Sequence, residues 1–347
     1  MIQRSTAPLL AGLAAFALLR AAAAEPAPAP ARAPTKARVV IVEQDGVLQE
    51  FTPRPELVQR MVARGILQLT GQRETRAAWL SLVSKKDIVG LKVVSAPGPI
   101  SGTRPAVVAA VIEALLDAGL PPKSIIVWDR QTVDLRVAGF FALADRYGVR
   151  VAGAAEAGWD EKVFYESALL GKLIYGDLEF GSKKENIGRR SFVSKLVTRE
   201  MTKIISLAPL LNHNITGVQG HLHSVALDSV DNTIRFESVP TALLDAIPDI
   251  YALPVLGDRV VLNITDALLC QYQGEQRVLL HYSVELNQLR FSTDPVALDV
   301  LSLQELGRQR KLANALPVAP PLKLFENATL LWIGVSEPGN IRIERAP

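Results

Sequence analysis

The sequence predicts an α/β protein: a largely parallel sheet flanked by helices, with a less regular excursion in its middle. Two observations carry this prediction. Short apolar runs alternate with amphipathic helical segments at the spacing of β-α-β units. Several of those runs are continuously apolar rather than alternating, which suits strands covered on both faces.

Arg38–Val42 reads as the first strand. Pro55–Leu69 follows as a helix, with Leu57, Val58, Met61, Val62, Ile66 and Leu67 on its apolar face. Ile88–Val94 is the second strand. Beyond it a loop carrying Pro97, Gly98, Pro99 and Gly102 leads to Thr103, a candidate N-cap for a helix running to about Gly119. Ser124–Trp128 is the next strand and ends in Asp129-Arg130. A helix over Val133–Tyr147 and a short strand at Val149–Val151 follow. Gly158–Arg190 is rich in Gly, Lys and Glu, lacks a clean period, and forms the expected excursion. Pattern returns with strands at Phe192–Val197, Ile204–Leu207, Arg259–Ile264 and Glu285–Phe291. Helices are expected at Thr241–Ile250 and Asp294–Leu306, and short late strands at Ala328–Gly334 and Asn340–Glu344.

The first residues have a different character. Gln3 and Arg4 precede an uncharged, mostly apolar run, Ala7–Leu19, that is short for a bilayer span. Ala22-Ala23-Ala24 then offers a small-x-small cleavage pattern, so residues 1–24 read as a secretory signal peptide. Residues 25–35 are a Pro/Ala linker, expected to be extended. A single α/β domain is expected over residues 36–345. Its roughly three hundred residues suffice for a large core. Cleavage would leave 36 basic residues against 35 acidic ones, a charge of about +1. No basic stripe or aromatic RNA motif occurs, which argues against nucleic acid as a partner. After cleavage nothing else is expected to hold the chain stably in a membrane, so the expected location is periplasmic or secreted. Cys270 is the single cysteine, which excludes an internal disulfide and an iron–sulfur cluster within this chain.

Three of the four histidines, His213, His221 and His223, fall in one segment just past the apolar run Ile204–Leu211. Histidine donates, accepts or ligates near neutral pH, and α/β proteins place sites where strands give way to loops. On an extended loop His221 and His223 would face the same way. With His213 or His281 they could ligate a transition metal, with Asp266 or Asp228 as a carboxylate partner. The alternative is polar loop histidines bonded to backbone or water. Lys92, Thr103, Arg104, Asp129 and Arg130 also sit at strand ends and are expected to line one crevice. Arg104 and Arg130 could clamp a small anion beside the helix that follows Thr103. The alternative is local pairing, with Thr103 only capping and Lys92 reaching the surface. No GxGxxG, Walker-type or Gly-x-Ser-x-Gly pattern occurs, so a dinucleotide, an NTP and serine-hydrolase chemistry lack support.

An ordered series of segments resembles the bacterial and archaeal family known as domain of unknown function 362. The series begins with Val89–Val93, Thr103-Arg104-Pro105, Ala118–Pro122 and Ile125–Arg130. It continues with Pro209–Val218, Ile264–Ala267 and Ser292–Asp299. The resemblance implies an exported protein, and the iron–sulfur region of some members implies redox roles and a redox partner protein. This chain departs from the family at the histidine segment. Leu211 and His223-Ser224 stand where the family has a lysine and an Ala-Leu-Lys-Asn run. The expected function is an exported, metal- or redox-linked enzyme with a His-lined site at the strand ends, using His213 and Asp266 as catalytic residues. The alternatives are a non-catalytic periplasmic binding protein for a small anionic ligand, and a structural or assembly partner.

Overall fold

A computed structural model describes residues 36–346 apart from 175, 179–186 and 238. The signal-peptide and linker readings, residues 1–35, lie outside the described residues. In chain order the strands are β1 (Ala37–Glu43), β2 (Leu48–Gln49), β3 (Thr52–Pro53), β4 (Val89–Lys92), β5 (Ile125–Asp129) and β6 (Arg150–Gly153). Then come β7 (Trp159–Lys172), β8 (Ile187–Ser194), β9 (Lys203–His213), β10 (Gly217–Val218), β11 (Val260–Gln271), β12 (Ser283–Ser292) and β13 (Ile341–Ala346).

The main sheet has the order β13-β1-β12-β11-β9-β4-β5-β6, with the short β10 folded back on β9. Neighbours from β11 to β6 are all parallel. Along this path only β12 runs against the rest, antiparallel to both β11 and β1, while β13 is parallel to β1. The protein is therefore α/β, with a mostly parallel mixed sheet flanked by helices.

Alternation along each strand sends side chains to two separate cores. Val40, Val42, Val89, Leu91, Val127, Ile205 and Leu207 pack on one face, under the helices Pro55–Thr70 and Pro105–Asp117. Ile126, Trp128, Ile204, Leu210, Ala267 and Cys270 pack on the other. That face is covered by the helices His221–Leu227, Pro240–Tyr251, Pro295–Leu312 and Leu322–Leu330. Among the described residues no helix is long and apolar enough to cross a membrane.

Several elements differ from the sequence expectation. The Val133–Tyr147 helix is two, Thr132–Val137 and Phe141–Tyr147, because Gly139 takes a left-handed φ of 86° between them. The middle excursion is a separate antiparallel ribbon of β7 and β8. Ala328–Gly334 is not a strand: it is the last turn of the helix Leu322–Leu330 followed by a turn in which Trp332 has a φ of 61°. β11 runs past Ile264 to Gln271, so Asp266 lies inside a strand rather than at its end. His221 and His223 lie on a helix rather than an extended loop.

Candidate active site

Lys92 ends β4 and Asp129 ends β5, and the parallel register sets Lys92 beside Trp128. The lysine therefore reaches the next residue of the neighbouring strand. Its Nζ is 2.7 Å from Asp129 Oδ1 and 2.8 Å from Asp228 Oδ2, and it also donates to the Val93 carbonyl. An ammonium has three N–H groups, and all three have acceptors here. Lys92 is fully buried. Burial alone would lower its pKa, but the two carboxylates outweigh it and the net shift is upward.

The two aspartates behave differently. Asp129 Oδ2 accepts from the Ser95 backbone N–H at 2.7 Å and the Ser95 hydroxyl at 2.6 Å, and Oδ1 accepts from the Arg130 N–H at 2.8 Å. Burial would push this carboxyl up, but Lys92 and Ser95 hold it below its ordinary value. Asp228, at the C-cap of the helix His221–Leu227, lacks that cradle and its side chain keeps 19% exposure. Burial and the Asp129 charge raise it to about 6, against the pull of Lys92 and Arg130. Arg130 Nη1 donates to the carbonyls of Leu227 at 3.0 Å and Val230 at 2.9 Å. The Leu227 carbonyl is at the end of the same helix, where a cation is favoured, and Val230 follows its C-cap.

His213, at the end of β9, and His223, in the first turn of the helix, bring their rings to 4.6 Å between centroids. His213 Nδ1 accepts from the backbone N–H groups of Ile215 at 3.3 Å and Thr216 at 3.1 Å, so the neutral ring carries its proton on Nε2. Burial lowers the His213 pKa despite Glu275. Burial, then His213, then Lys92 lower His223 well below the usual range. Both rings are neutral at pH 7. His223 is 8% exposed, and its Nδ1 has no hydrogen-bond partner among the described residues. Lys92, Asp129 and Asp228 thus form one cluster at the C-terminal edge of the parallel strands, with the imidazole pair near enough for the Lys92 charge to act on His223.

His221 does not join them. Its position in the helix turns it onto the sheet, where Nδ1 lies 2.8 Å from Ser206 Oγ on β9 and Nε2 lies 3.0 Å from Thr265 Oγ1 on β11. Full burial pushes its pKa down to about 3. On a helix, residues two apart diverge, which is why the expected triad of imidazoles does not converge. Among the described residues no three His, Cys, Asp or Glu side chains meet in a way that could hold a metal ion.

The expected anion crevice also divides. Lys92, Asp129 and Arg130 come together, but Arg104 pairs with Asp266, two strands across. Arg104 Nη1 is 2.8 Å from Asp266 Oδ1, and its backbone N–H reaches Asp266 Oδ2 at 3.0 Å. Both side chains are buried. Asp266 is thereby committed to Arg104 and does not orient His213. Thr103 is not the N-cap, a position Arg104 holds ahead of Pro105. Its hydroxyl instead donates to the Leu207 carbonyl at 2.6 Å and accepts from the Val94 N–H at 3.0 Å, fastening the loop to β9. Sequence reasoning missed Ser95 and Asp299. Asp299 accepts from the N–H groups of His221 at 2.8 Å and Leu222 at 2.9 Å, and so caps the histidine helix. Gly220 leaves room for it, since a Cβ there would lie 2.0 Å from Asp299 Oδ1.

Comparisons with known proteins bear on the family. A solved structure of a protein from Thermotoga maritima is similar over 77% of this chain, with 11% identity and a TM-score of 0.40. The aligned region spans 60% of that protein's length. No curated protein matches. The family described as Domain of unknown function (DUF362) matches residues 89–304, well over half of the chain and the whole of the Lys92–Asp228 cluster. The chain belongs to the DUF362 family.

Proposed function

We propose that the protein is an acid–base enzyme acting on a small polar substrate at the C-terminal edge of its parallel strands. Asp228 is the proton-transfer residue of this reading, and the neutral His213–His223 pair supplies hydrogen bonds to the substrate. The observation that carries it is the division of labour around Lys92. One carboxylate, Asp129, is cradled and held ionised, while the other, Asp228, is partly exposed and raised to about 6. A group poised there exchanges protons efficiently near neutral pH.

The anion-binding alternative has less support, because the Lys92 donors are all spent and Arg104 is paired with Asp266. A metal- or redox-linked site has less support too, since His221 is engaged by Ser206 and Thr265. The reading also takes the chain as exported, supported by the apolar run Ala7–Leu19 and the Ala22-Ala23-Ala24 pattern. Sequencing the N-terminus of protein recovered from outside the cytoplasm tests that part.

The catalytic reading is tested by incubating a mixture of small polar metabolites with the wild type and with Asp228→Asn. The expected result is a compound consumed by the wild type alone, at a rate that follows a group titrating near 6. Carboxyl NMR of the same protein would refute the assignment if Asp228 titrated near the 3.8 of an ordinary aspartate.

A further inference from the structure

Away from the Lys92 cluster, the long helix Pro295–Leu312 and the helix Leu322–Leu330 enclose a cavity of about 910 Å³. Its wall is mainly apolar, with Val300, Leu303, Val318, Leu322 and Phe325 contributing. It reaches the β9–β10 hairpin at Gly217, but none of the residues of the acid–base cluster lines it. A volume of this order suits a small-molecule ligand. Val318 and Leu322 are exposed at 48% and 56%, an apolar rim of the kind that marks a binding surface.

One wall residue does not fit an ordinary apolar hollow. Arg310 lines the cavity and is only 8% exposed. Among the described residues its guanidinium has no hydrogen-bond acceptor and no carboxylate within ion-pair distance. Glu326 and Glu337 also line the cavity, but both are exposed on its rim and neither pairs with Arg310. Burial lowers the Arg310 pKa, and a partly desolvated guanidinium beside an apolar wall gains from a counter-charge. An anion delivered into the cavity would supply the missing partner through charge-assisted hydrogen bonds. Lys311, next in sequence and exposed at the same cavity, adds a second positive charge near the mouth.

We infer that this cavity binds an amphiphilic carboxylate, its apolar chain against Leu303 and Phe325 and its carboxylate on Arg310. Apolar lining alone would accept any hydrophobic ligand, and Arg310 alone would accept any small anion. Their combination selects a molecule that carries both.

Calorimetry on the full chain, using monomeric ligand concentrations, tests the inference with three probes: laurate, 1-dodecanol with the same chain but no charge, and acetate with the same charge but no chain. Laurate is expected to bind at least tenfold more tightly than either of the others. Arg310→Met replaces an unpaired, partly buried charge by an apolar chain, so it is expected to fold, and it should weaken laurate by about ten- to a hundredfold while leaving 1-dodecanol unchanged. Gly307→Phe serves as an independent check. A Cβ at this cavity-lining helix position meets no atom within 4 Å, so the ring can fill the mouth without disturbing the helix. That variant should lose laurate and 1-dodecanol together. Equal binding of laurate to wild type and Arg310→Met, no preference of the wild type for laurate over 1-dodecanol, or undiminished laurate binding by Gly307→Phe would each overturn the inference.

Discussion

Replacing Lys92 with Met keeps most of the buried stem and removes only the ammonium. Asp129 and Asp228, both within 2.8 Å of that nitrogen, are then left facing each other without their shared cation. Removing one partner of a buried ion pair generally costs about 3–5 kcal/mol. Here the carboxylates can limit the damage by taking up a proton. Asp228 already stands at about 6 with Lys92 present, so without it one carboxyl becomes a neutral acid at pH 7. Holding a carboxyl neutral costs about 1.4 kcal/mol for each unit by which the pH exceeds the unfolded-state pKa of 3.8. Because wild-type Asp228 already holds that proton below about 6, the penalty relative to the wild type is about 1.4 kcal/mol at pH 7 and close to zero at pH 5. The sign follows from proton counting. The folded variant binds a proton that the unfolded chain releases above 3.8, so the stability of the variant falls as pH rises. Urea unfolding followed by circular dichroism at both pH values measures the effect. The double variant Lys92→Met/Asp129→Asn, which removes the facing charge, should recover more than half of the loss at pH 7. A penalty below about 1 kcal/mol at both pH values, or one that grows as the pH falls, would refute the reasoning.

His221→Ala should cost about 3 kcal/mol in the same assay, because it opens a buried space and strands the Ser206 and Thr265 hydroxyls. The wild-type ring makes a pH-dependent contribution that is full above the ordinary histidine value of 6.5 and is lost as pH falls toward its folded value of about 3, so acid unfolding of His221→Ala should be shallower over that window. Thr103→Val preserves shape but leaves the Leu207 carbonyl and the Val94 N–H without their partner; a loss of about 2 kcal/mol is expected in urea, and a neutral result would show that the loop is not fastened there.

The sheet was legible in the sequence because its central strands are continuous apolar runs, and those at Val89–Lys92 and Ile125–Asp129 end in charged residues that the parallel register brings together. The sequence alone therefore places Lys92 and Asp129 at one edge. The polar residues inside β11 concealed its length. Asn263, Thr265 and Asp266 read as an ending, although all three are buried, Asp266 against Arg104 and Thr265 against His221. Ala328–Gly334 misled for the opposite reason, since a short apolar run has no period that separates strand from helix. The histidine helix was hidden because its N-terminal N–H groups are satisfied by Asp299, which lies 78 residues from His221. A cap supplied from so far along the chain leaves no local signature, and without the helix the divergence of His221 from His223 could not be foreseen.

The position of β1 has a consequence for how the chain acquires its structure. The first strand of the domain lies between β12 and β13, so its partners come from positions 288–291 and 341–346, about 250 to 300 residues later. During synthesis, β4, β5 and β6 can pair as soon as they and their connecting helices have emerged, whereas Ala37–Glu43 must wait for β12 and β13. Closing so long a loop is entropically costly and slow. The apolar residues Val39–Val42 therefore remain without their native strand partners until residues 288–346 have been made, and a chain cut short before Ile341 would leave β1 as an apolar edge strand open to association with other chains.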